Sequence, residues 1–235
     1  MASADLHPTA HDHDHDHDHE ATPPPDEGWG GYGPELETAV RELLIEKGLI
    51  TADAVRRTVE AIESTTPAVG GRLVARAWVD PAFRARLLAD GSAAARELGV
   101  DMGTTRLLVV ENTPDEHNLI VCTLCSCYPR AVLGLPPAWY KSFAYRSRAV
   151  REPRAVLAEF GTVLPEGVSV RVHDSTADMR YMVLPLRPAG TEGWSEEALA
   201  ALPTRDSMIG VTDLRGALAL AGTKDEGEDK SRTGR

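Results

Sequence analysis

The sequence predicts an α+β protein in which an extended N-terminal helical arm leads into a layered α/β core domain. Two observations predict it: apolar residues recur at helical spacing in the first half of the foldable chain, and short strand-like runs dominate the second half. The two ends of the chain contain too few apolar residues to pack. We therefore expect four regions, namely a disordered tail (1–33), the helical arm (34–100), the core domain (101–212) and a largely disordered C-terminal tail (213–235).

The helical arm is predicted from amphipathic periodicity and from capping residues. Leu36, Val40 and Leu43 recur at i, i+4 and i+7 and define one apolar face. Gly70 and Gly71 are expected to break the helical pattern, so that a third helix starts only after them. Five helices are expected, beginning at Pro34, after the capping residue Thr51, near Arg72, at Pro81 after the capping residue Asp80, and at Ser92.

The core domain is predicted from short apolar or alternating runs that are typical of strands. A helix is expected at Pro153–Phe160 and another at Glu196–Leu202, the latter capped by Ser195. The link from Asp174 to Met179 is short, which favours a β-hairpin between the last two strands. The four predicted strands are Arg106–Val110, Leu119–Val121, Val168–Val172 and Arg180–Leu184.

The charge and hydropathy of the chain exclude several classes of partner. The chain carries 25 Lys and Arg against 36 Asp and Glu, a net charge of −11, and has no basic face, so we expect no nucleic acid partner. No apolar run reaches the roughly eighteen residues that a transmembrane helix needs, so we expect no membrane span. The apolar segment of a secretory signal is also missing, and we therefore expect a cytoplasmic protein.

The N-terminal tail contains an alternating run of His with Asp or Glu between His11 and Glu20. Such a run is typical of a solvated polyelectrolyte, and we interpret it as a tail without a catalytic role. Imidazole and carboxylate groups also bind divalent metals loosely, and that alternative remains open.

All three cysteines of the chain lie in the stretch VCTLCSCY, residues 121–128. The spacing of Cys122 and Cys125 lets two sulfurs converge on one ion. Cys127 follows after a single residue, so the backbone nitrogens of Ser126 and Cys127 lie between the second and third sulfurs. If these nitrogens lose their protons, three sulfurs and two nitrogens together form a site with five donors. A metal that prefers six ligands would keep one position open, and the sequence thus predicts that the core domain carries a metal-binding loop.

The donor types favour some metals over others. Strong anionic sulfur and nitrogen donors suit trivalent cobalt or iron, whereas zinc prefers four tetrahedral donors. An open position on a trivalent ion acts as a Lewis acid. The spacing also leaves three alternatives open: a structural zinc site that recruits His117, a nucleophilic cysteine with His117 or His173 as its base, and inert buried thiols.

Three motifs follow one another along the chain, VCTLCSC, LGLPPAWYK and RPAGTEGW, and ARAWVDPAFRARLLADG and VVENTPDEHN precede them. Together they closely resemble the nitrile hydratase α subunit, over residues 34–212. Thr123 and Tyr128 resemble the cobalt type of this family, because the iron type usually has serine and threonine at these places.

The resemblance implies a cofactor and a reaction. It implies one cobalt(III) per chain, or less readily iron(III), held by Cys122, Cys125, Cys127 and the amide nitrogens of Ser126 and Cys127. In the family the second and third cysteines are oxidised, which by position gives a sulfinic acid at Cys125 and a sulfenic acid at Cys127. The implied reaction is the hydration of a small nitrile to an amide, with Cys127 and Ser126 as catalytic residues. The sulfenate oxygen of Cys127 either attacks the nitrile carbon or deprotonates the attacking water.

The resemblance also implies a partner chain. The family takes two arginines for the oxidised sulfurs from a separate β subunit, so we expect an obligate heteromer. Whether an activator chaperone loads the ion is left open. Two other functions also remain: a thiocyanate hydrolase subunit, which shares the motif, and a zinc-stabilised binding module without catalysis.

Five further residues are candidates for the surroundings of the metal. Trp139 and Tyr140 follow the cysteines closely and are expected to line an apolar substrate pocket, to pack in the core or to contact the β subunit. Arg171 and Arg180 lie on the predicted hairpin, where each pairs with the site or forms a structural salt bridge. Asp174 lies in HDSTAD, where the family typically has WDSSSE, and is a candidate for a supporting hydrogen bond.

Overall fold

The structure, a computed structural model, describes residues 33–125 and 127–215 and confirms the predicted α+β fold class. The strands of this part are β1 (Arg106–Glu111), β2 (Glu116–Val121), β3 (Ser169–Asp174) and β4 (Met179–Leu184). Its helices are α1 (Gly33–Glu46), α2 (Ala52–Ser64), α3 (Ala68–Val79), α4 (Pro81–Ala89), α5 (Gly91–Glu97), α6 (Arg130–Leu133), α7 (Ala138–Lys141), α8 (Phe143–Arg151), α9 (Pro153–Glu159), α10 (Glu196–Ala200) and α11 (Arg205–Ile209).

The alternating run of His11–Glu20 lies outside the described residues, as do most of the two predicted tails. Among the described residues, no helix combines the length and the apolar character that crossing a lipid bilayer requires.

The strands form two parallel pairs. β1 pairs with β4, where Val109 lies opposite Met182, and β2 pairs with β3, where Val121 lies opposite Asp174. The second halves of β2 and β4, Leu119–Val121 and Met182–Leu184, are continuous buried apolar runs, as is typical of parallel strands that are covered on both faces.

The predicted hairpin between the last two strands is wrong. β3 and β4 do not pair with each other but with different earlier strands. A local turn does form in the link, where the Thr176 N–H donates to the Met179 carbonyl at 2.9 Å. The turn redirects the chain from one pair to the other, because β4 hydrogen-bonds along its edge to β1 and its buried apolar residues pack against α11 and β2.

The third helix begins at Ala68, four residues before the predicted start, and therefore includes both glycines. Gly70 and Gly71 do not break the helix, because they allow close approach of neighbouring elements. A Cβ on Gly71 would lie 2.5 Å from the Ala200 carbonyl oxygen, and a Cβ on Gly70 would lie 2.8 Å from Met208 Sδ. The glycines thus bring α3 against α10 and α11.

The predicted caps of the helices are confirmed. The Thr51 hydroxyl accepts from the Ala54 N–H at 3.1 Å, and the Asp80 carboxylate accepts from the N–H groups that open α4. Ser195 caps α10 in the same way.

Buried side chains divide the helical region into two parts. Neither α1 nor α2 contains a buried residue among those described, whereas α3, α4 and α5 contribute Leu73, Phe83 and Ala94 to the core around the strands. The division into an arm (34–100) and a core domain (101–212) stays a prediction, but the hydrophobic core does not follow it, because residues 68–97 pack together with the strands.

Candidate metal centre

The cysteine loop, residues 122–127, connects the end of β2 to the segment that leads into α6. Cys122 directly follows the buried strand and is fully buried, Cys125 is exposed, and Cys127 is half-buried. The three Sγ atoms all lie within 4.8 Å of one another. Ser126, predicted as a ligand through its amide nitrogen, lies outside the described residues.

The separations of the sulfur atoms fit a single ion. Cys122 Sγ lies 3.4 Å from Cys125 Sγ, which lies 3.1 Å from Cys127 Sγ. Two sulfurs bound at about 2.3 Å from one ion are about 3.2 Å apart at a right angle and about 3.8 Å apart at a tetrahedral angle. The observed separations are closer to the right angle, which suits a six-coordinate ion better than tetrahedral zinc.

Side chains from outside the cysteine loop hold its backbone at both ends. Asp174, the last residue of β3, accepts from the Thr123 N–H at 2.9 Å and also from the Thr123 hydroxyl. Arg146 in α8 donates to the Thr123 carbonyl at 3.3 Å. The Tyr140 hydroxyl in α7 donates to the Cys127 carbonyl at 2.9 Å. The loop is therefore ordered by β3, α7 and α8 as well as by its own sequence.

Burial controls the protonation of the groups at the site. It raises the pKa of the Cys127 thiol to about 12, with a contribution from the hydrogen bond to Cys125, while the charge of Arg180 opposes the rise. Burial also raises the pKa of the Tyr140 phenol, which therefore keeps its proton and donates it. A bound cation would reverse the effect on the thiol, because coordination favours the thiolate.

An open cavity of about 500 Å³ lies beside the thiols. Cys125, Cys127 and Arg180 line it, and Arg180 is thus the predicted arginine that the structure brings to the site. Its guanidinium also donates to the Thr176 carbonyl. The other residues that line this cavity are Met102, Thr105, Tyr128, Arg130 and Ala131.

The other predicted residues lie in different surroundings. Asp174 contacts the cysteine loop as described. Arg171 is exposed and forms a salt bridge with Glu116 at 3.0 Å, and it does not line the cavity. The Trp139 ring packs edge-on against Tyr145 and Phe160, with ring centroids 4.9 and 4.7 Å away. Trp139 therefore packs in the core, which was one of the predicted alternatives to lining a substrate pocket.

The histidines of the described residues do not join the thiols. His117 is buried, with its Nε2 at 2.7 Å from the Gly210 carbonyl and its Nδ1 at 3.4 Å from the Asn112 amide. His173 Nε2 lies 2.7 Å from Asn118 Oδ1. The cluster of potential ligands in this part of the chain consists of the three cysteines. The structure therefore does not support the zinc site that recruits His117 or a thiol–histidine pair.

Sequence reasoning missed the hydrogen bonds that Tyr140 and Ser175 contribute around the loop. The motif placed Tyr140 near the site only as a pocket or core aromatic. No spacing rule connects these residues with the cysteines, because different helices and strands bring them together.

Three thiols that converge beside an open cavity, at the end of a buried parallel strand, define a metal-binding α+β protein with a thiolate site. The chain belongs to the nitrile hydratase α-chain family, since the family model described as "Nitrile hydratase, alpha chain" matches residues 34–212.

Two relatives and one solved structure show the extent of the similarity. The low-molecular weight cobalt-containing nitrile hydratase subunit alpha of Rhodococcus rhodochrous is 55% identical over 176 residues, which cover 74% of this chain and 85% of that subunit. Thiocyanate hydrolase subunit gamma of Thiobacillus thioparus is 46% identical over 188 residues, covering 75% of this chain and 77% of that subunit. A double mutant of the Fe-type nitrile hydratase from Comamonas testosteroni Ni1 superposes with a TM-score of 0.74 at 47% identity, covering 77% of this chain and 89% of that one.

Proposed function

We propose that this chain is the metal-carrying α subunit of an enzyme that hydrates a small nitrile to its amide, R–C≡N + H2O → R–C(O)NH2. The observation that carries the proposal is the convergence of the Cys122, Cys125 and Cys127 sulfurs in a chain of this family. The 55% identity to a cobalt-containing subunit and the residues Thr123 and Tyr128 favour cobalt(III) over iron(III) as the cofactor.

The three sulfurs, with the amide nitrogens of Ser126 and Cys127, would hold the ion. When bound, the ion supplies a Lewis acid that polarises a nitrile or a water. Cys127, as a sulfenate, would either attack the nitrile carbon through its oxygen, which water replaces on the sulfur as the amide forms, or take the proton of the attacking water. Arg180 lines the cavity next to Cys125 and Cys127 and contributes positive charge toward their oxygens.

A second chain completes the enzyme. The relative from Rhodococcus rhodochrous is itself named a subunit, and this chain is by the same family one component of a heteromer. A β subunit that covers α1 and α2 and supplies arginines to the oxidised sulfurs is the proposed partner. In support, α1 and α2 contain no buried residue among those described, yet they expose the large apolar side chains Leu36, Val40, Leu43, Val59 and Ile62. An activator that loads the ion, and a cytoplasmic location, stay predictions.

Thiocyanate hydrolysis is the second candidate, because a thiocyanate hydrolase subunit is 46% identical to this chain. The identity to the nitrile hydratase subunit is higher, at 55%, and it favours a nitrile over thiocyanate as the substrate.

The test is to purify the full chain together with its partner subunit, to measure its metals, and to assay it with acrylonitrile and with thiocyanate. We expect about one cobalt per chain and the formation of acrylamide, and we expect Cys127→Ser to abolish turnover. Hydrolysis of thiocyanate without hydration of acrylonitrile would establish the second candidate. About one zinc per chain, with no cobalt and no turnover, would indicate a zinc-stabilised module and overturn the proposal.

A further inference from the structure

Two consecutive residues at the end of β3 support opposite ends of the cysteine loop. Asp174 accepts from Thr123 near the start of the loop. The N–H of Ser175 donates to the Val121 carbonyl at 2.8 Å. Burial raises the pKa of the Tyr140 phenol, and a hydrogen bond from the Ser175 side chain partly offsets the rise. Tyr140 in turn donates to the carbonyl of Cys127 at 2.9 Å. The end of β3 therefore reaches the last thiol through one intermediate side chain.

The intermediate side chain has little freedom to move. Tyr140 is fully buried, and Ser175 is 2% exposed. The Tyr140 ring packs edge-on against Tyr128, with centroids 5.1 Å apart, and lies 5.6 Å from the Tyr145 ring. A buried ring that is held on several sides can direct its hydroxyl at a single acceptor.

The acceptor matters for the position of the thiol. Because the peptide unit is planar, the orientation of the Cys127 carbonyl fixes the ψ angle of Cys127. The thiol can then occupy only the few staggered χ1 positions that this backbone allows. The Cys125 Sγ–Cys127 Sγ separation of 3.1 Å depends on that choice.

We infer that Tyr140, supported by Ser175, is a positioning residue that holds Cys127 in the orientation required for cobalt binding. The inference rests on the proposed function, because it assigns the cysteine loop to cobalt. Tyr140 itself touches neither the ion nor the substrate in this arrangement; it acts through the Cys127 carbonyl.

The chain offers a matched control for this inference. Tyr145 is a neighbouring buried tyrosine whose hydroxyl also donates to a backbone carbonyl, that of Ile120 in β2, at 2.6 Å. Tyr140→Phe and Tyr145→Phe each remove one phenol–carbonyl hydrogen bond from the same aromatic cluster. Only the first removes a bond to the cysteine loop.

The experiment is a titration with cobalt(II) of the full chain, purified metal-free and reduced together with its partner subunit. The readouts are the sulfur-to-cobalt charge-transfer absorbance and the thermal midpoint. We expect Tyr140→Phe to weaken cobalt binding by about tenfold or more, as loss of a supporting hydrogen bond does at other metal sites, and to shift the absorbance maximum. We expect Tyr145→Phe to bind cobalt like the wild type, with a comparable decrease in thermal midpoint.

Equal cobalt affinity in the two variants would overturn the inference. Ser175→Ala provides a second measurement that leaves the ring in place, and it should weaken binding less than Tyr140→Phe does. If Tyr140→Phe is insoluble, wild-type affinity in Ser175→Ala overturns the inference by itself. Absence of cobalt binding by the wild type would instead defeat the proposed function, and this inference with it.

Discussion

Asp174 accepts two hydrogen bonds from Thr123, one from the backbone N–H at 2.9 Å and one from the hydroxyl. The two residues are 51 positions apart in sequence, so the parallel pairing of β2 with β3 is what brings the carboxylate to the cysteine loop. We expect Asp174→Ala to reduce cobalt affinity or turnover by about 10–100-fold, because both hydrogen bonds that fix Thr123 to β3 are lost.

Thr123→Val is the matched variant for this contact, since it removes the hydroxyl and keeps the N–H. The loss of cobalt affinity in Thr123→Val should be smaller than in Asp174→Ala. The double variant should lose no more affinity than Asp174→Ala alone. Additive losses in cobalt affinity would show that the two side chains act independently.

Arg180 and Arg171 provide a paired test of the charge next to the thiols. Arg180 lines the cavity with Cys125 and Cys127, whereas Arg171 is exposed and pairs with Glu116. We expect Arg180→Gln to lower kcat/KM for acrylonitrile by about tenfold or more, because a positive charge beside the oxidised sulfurs is lost. Arg171→Gln should leave kcat/KM unchanged, since exposed ion pairs contribute little. Equal effects of the two substitutions would contradict this assignment.

The exposure of the three sulfurs orders them by how readily each can be oxidised. Oxidation of cysteine follows solvent access and thiolate character. Cys122 is fully buried, whereas Cys125 is exposed and Cys127 is half-buried. This order of exposure agrees with the oxidation that the family resemblance implies, so mass spectrometry of the peptide from active enzyme should show two added oxygens on Cys125, one on Cys127 and none on Cys122. Unmodified thiols in an active preparation would rule out the proposed role of the Cys127 oxygen.

Gly71 tests the close packing of α3 against α10. A Cβ at this position would lie 2.5 Å from the Ala200 carbonyl oxygen, and backbone cannot move aside cheaply. Gly71→Ala should lower the free energy of unfolding by about 1–3 kcal/mol, measured by urea denaturation. Gly167→Ala is the control, because nothing lies within 4 Å of its Cβ, and it should be close to neutral. A neutral Gly71→Ala would show that α3 and α10 are farther apart than described.

His117 predicts a dependence of stability on pH. Burial lowers its pKa below the ordinary value of 6.5. Between the lowered folded pKa and the unfolded pKa, the unfolded chain binds more protons, so stability falls as the pH drops through about 6.5, by at most about 1.4 kcal/mol per pH unit. His117→Gln should flatten this part of the stability profile. His173, whose pKa burial also lowers, is tested separately with His173→Gln, and an unchanged slope in His117→Gln would contradict the prediction.

The sequence identified most of the strands and helices because their local signals are strong. The capping residues Thr51 and Asp80 and the apolar runs of β1 and β4 are examples. It could not identify the strand partners. β1 pairs with a strand about seventy residues later, and only the packing of the whole core decides between that partner and a nearby hairpin.

Tertiary contacts also explain what was missed in the helices and at the site. By local propensity, Gly70 and Gly71 predict a break in the helix. They lie within α3 instead, because the close approach of α10 and α11 leaves no room for a Cβ at either position. The convergence of the thiols follows from their spacing, whereas the anchor Tyr140 comes from a helix of 4 residues after Pro137, which is too short for periodicity to predict contacts.

The long sequence separation between the cysteines and β3 has a consequence for biosynthesis. A nascent chain in which translation has passed the cysteines but not yet reached residue 169 lacks β3, and with it Asp174 and Ser175. Before β3 is present, only the spacing of the cysteines can bring their sulfurs together, and free thiolates bind ions by intrinsic affinity rather than by geometry. Selection of the ion by geometry therefore requires the finished polypeptide.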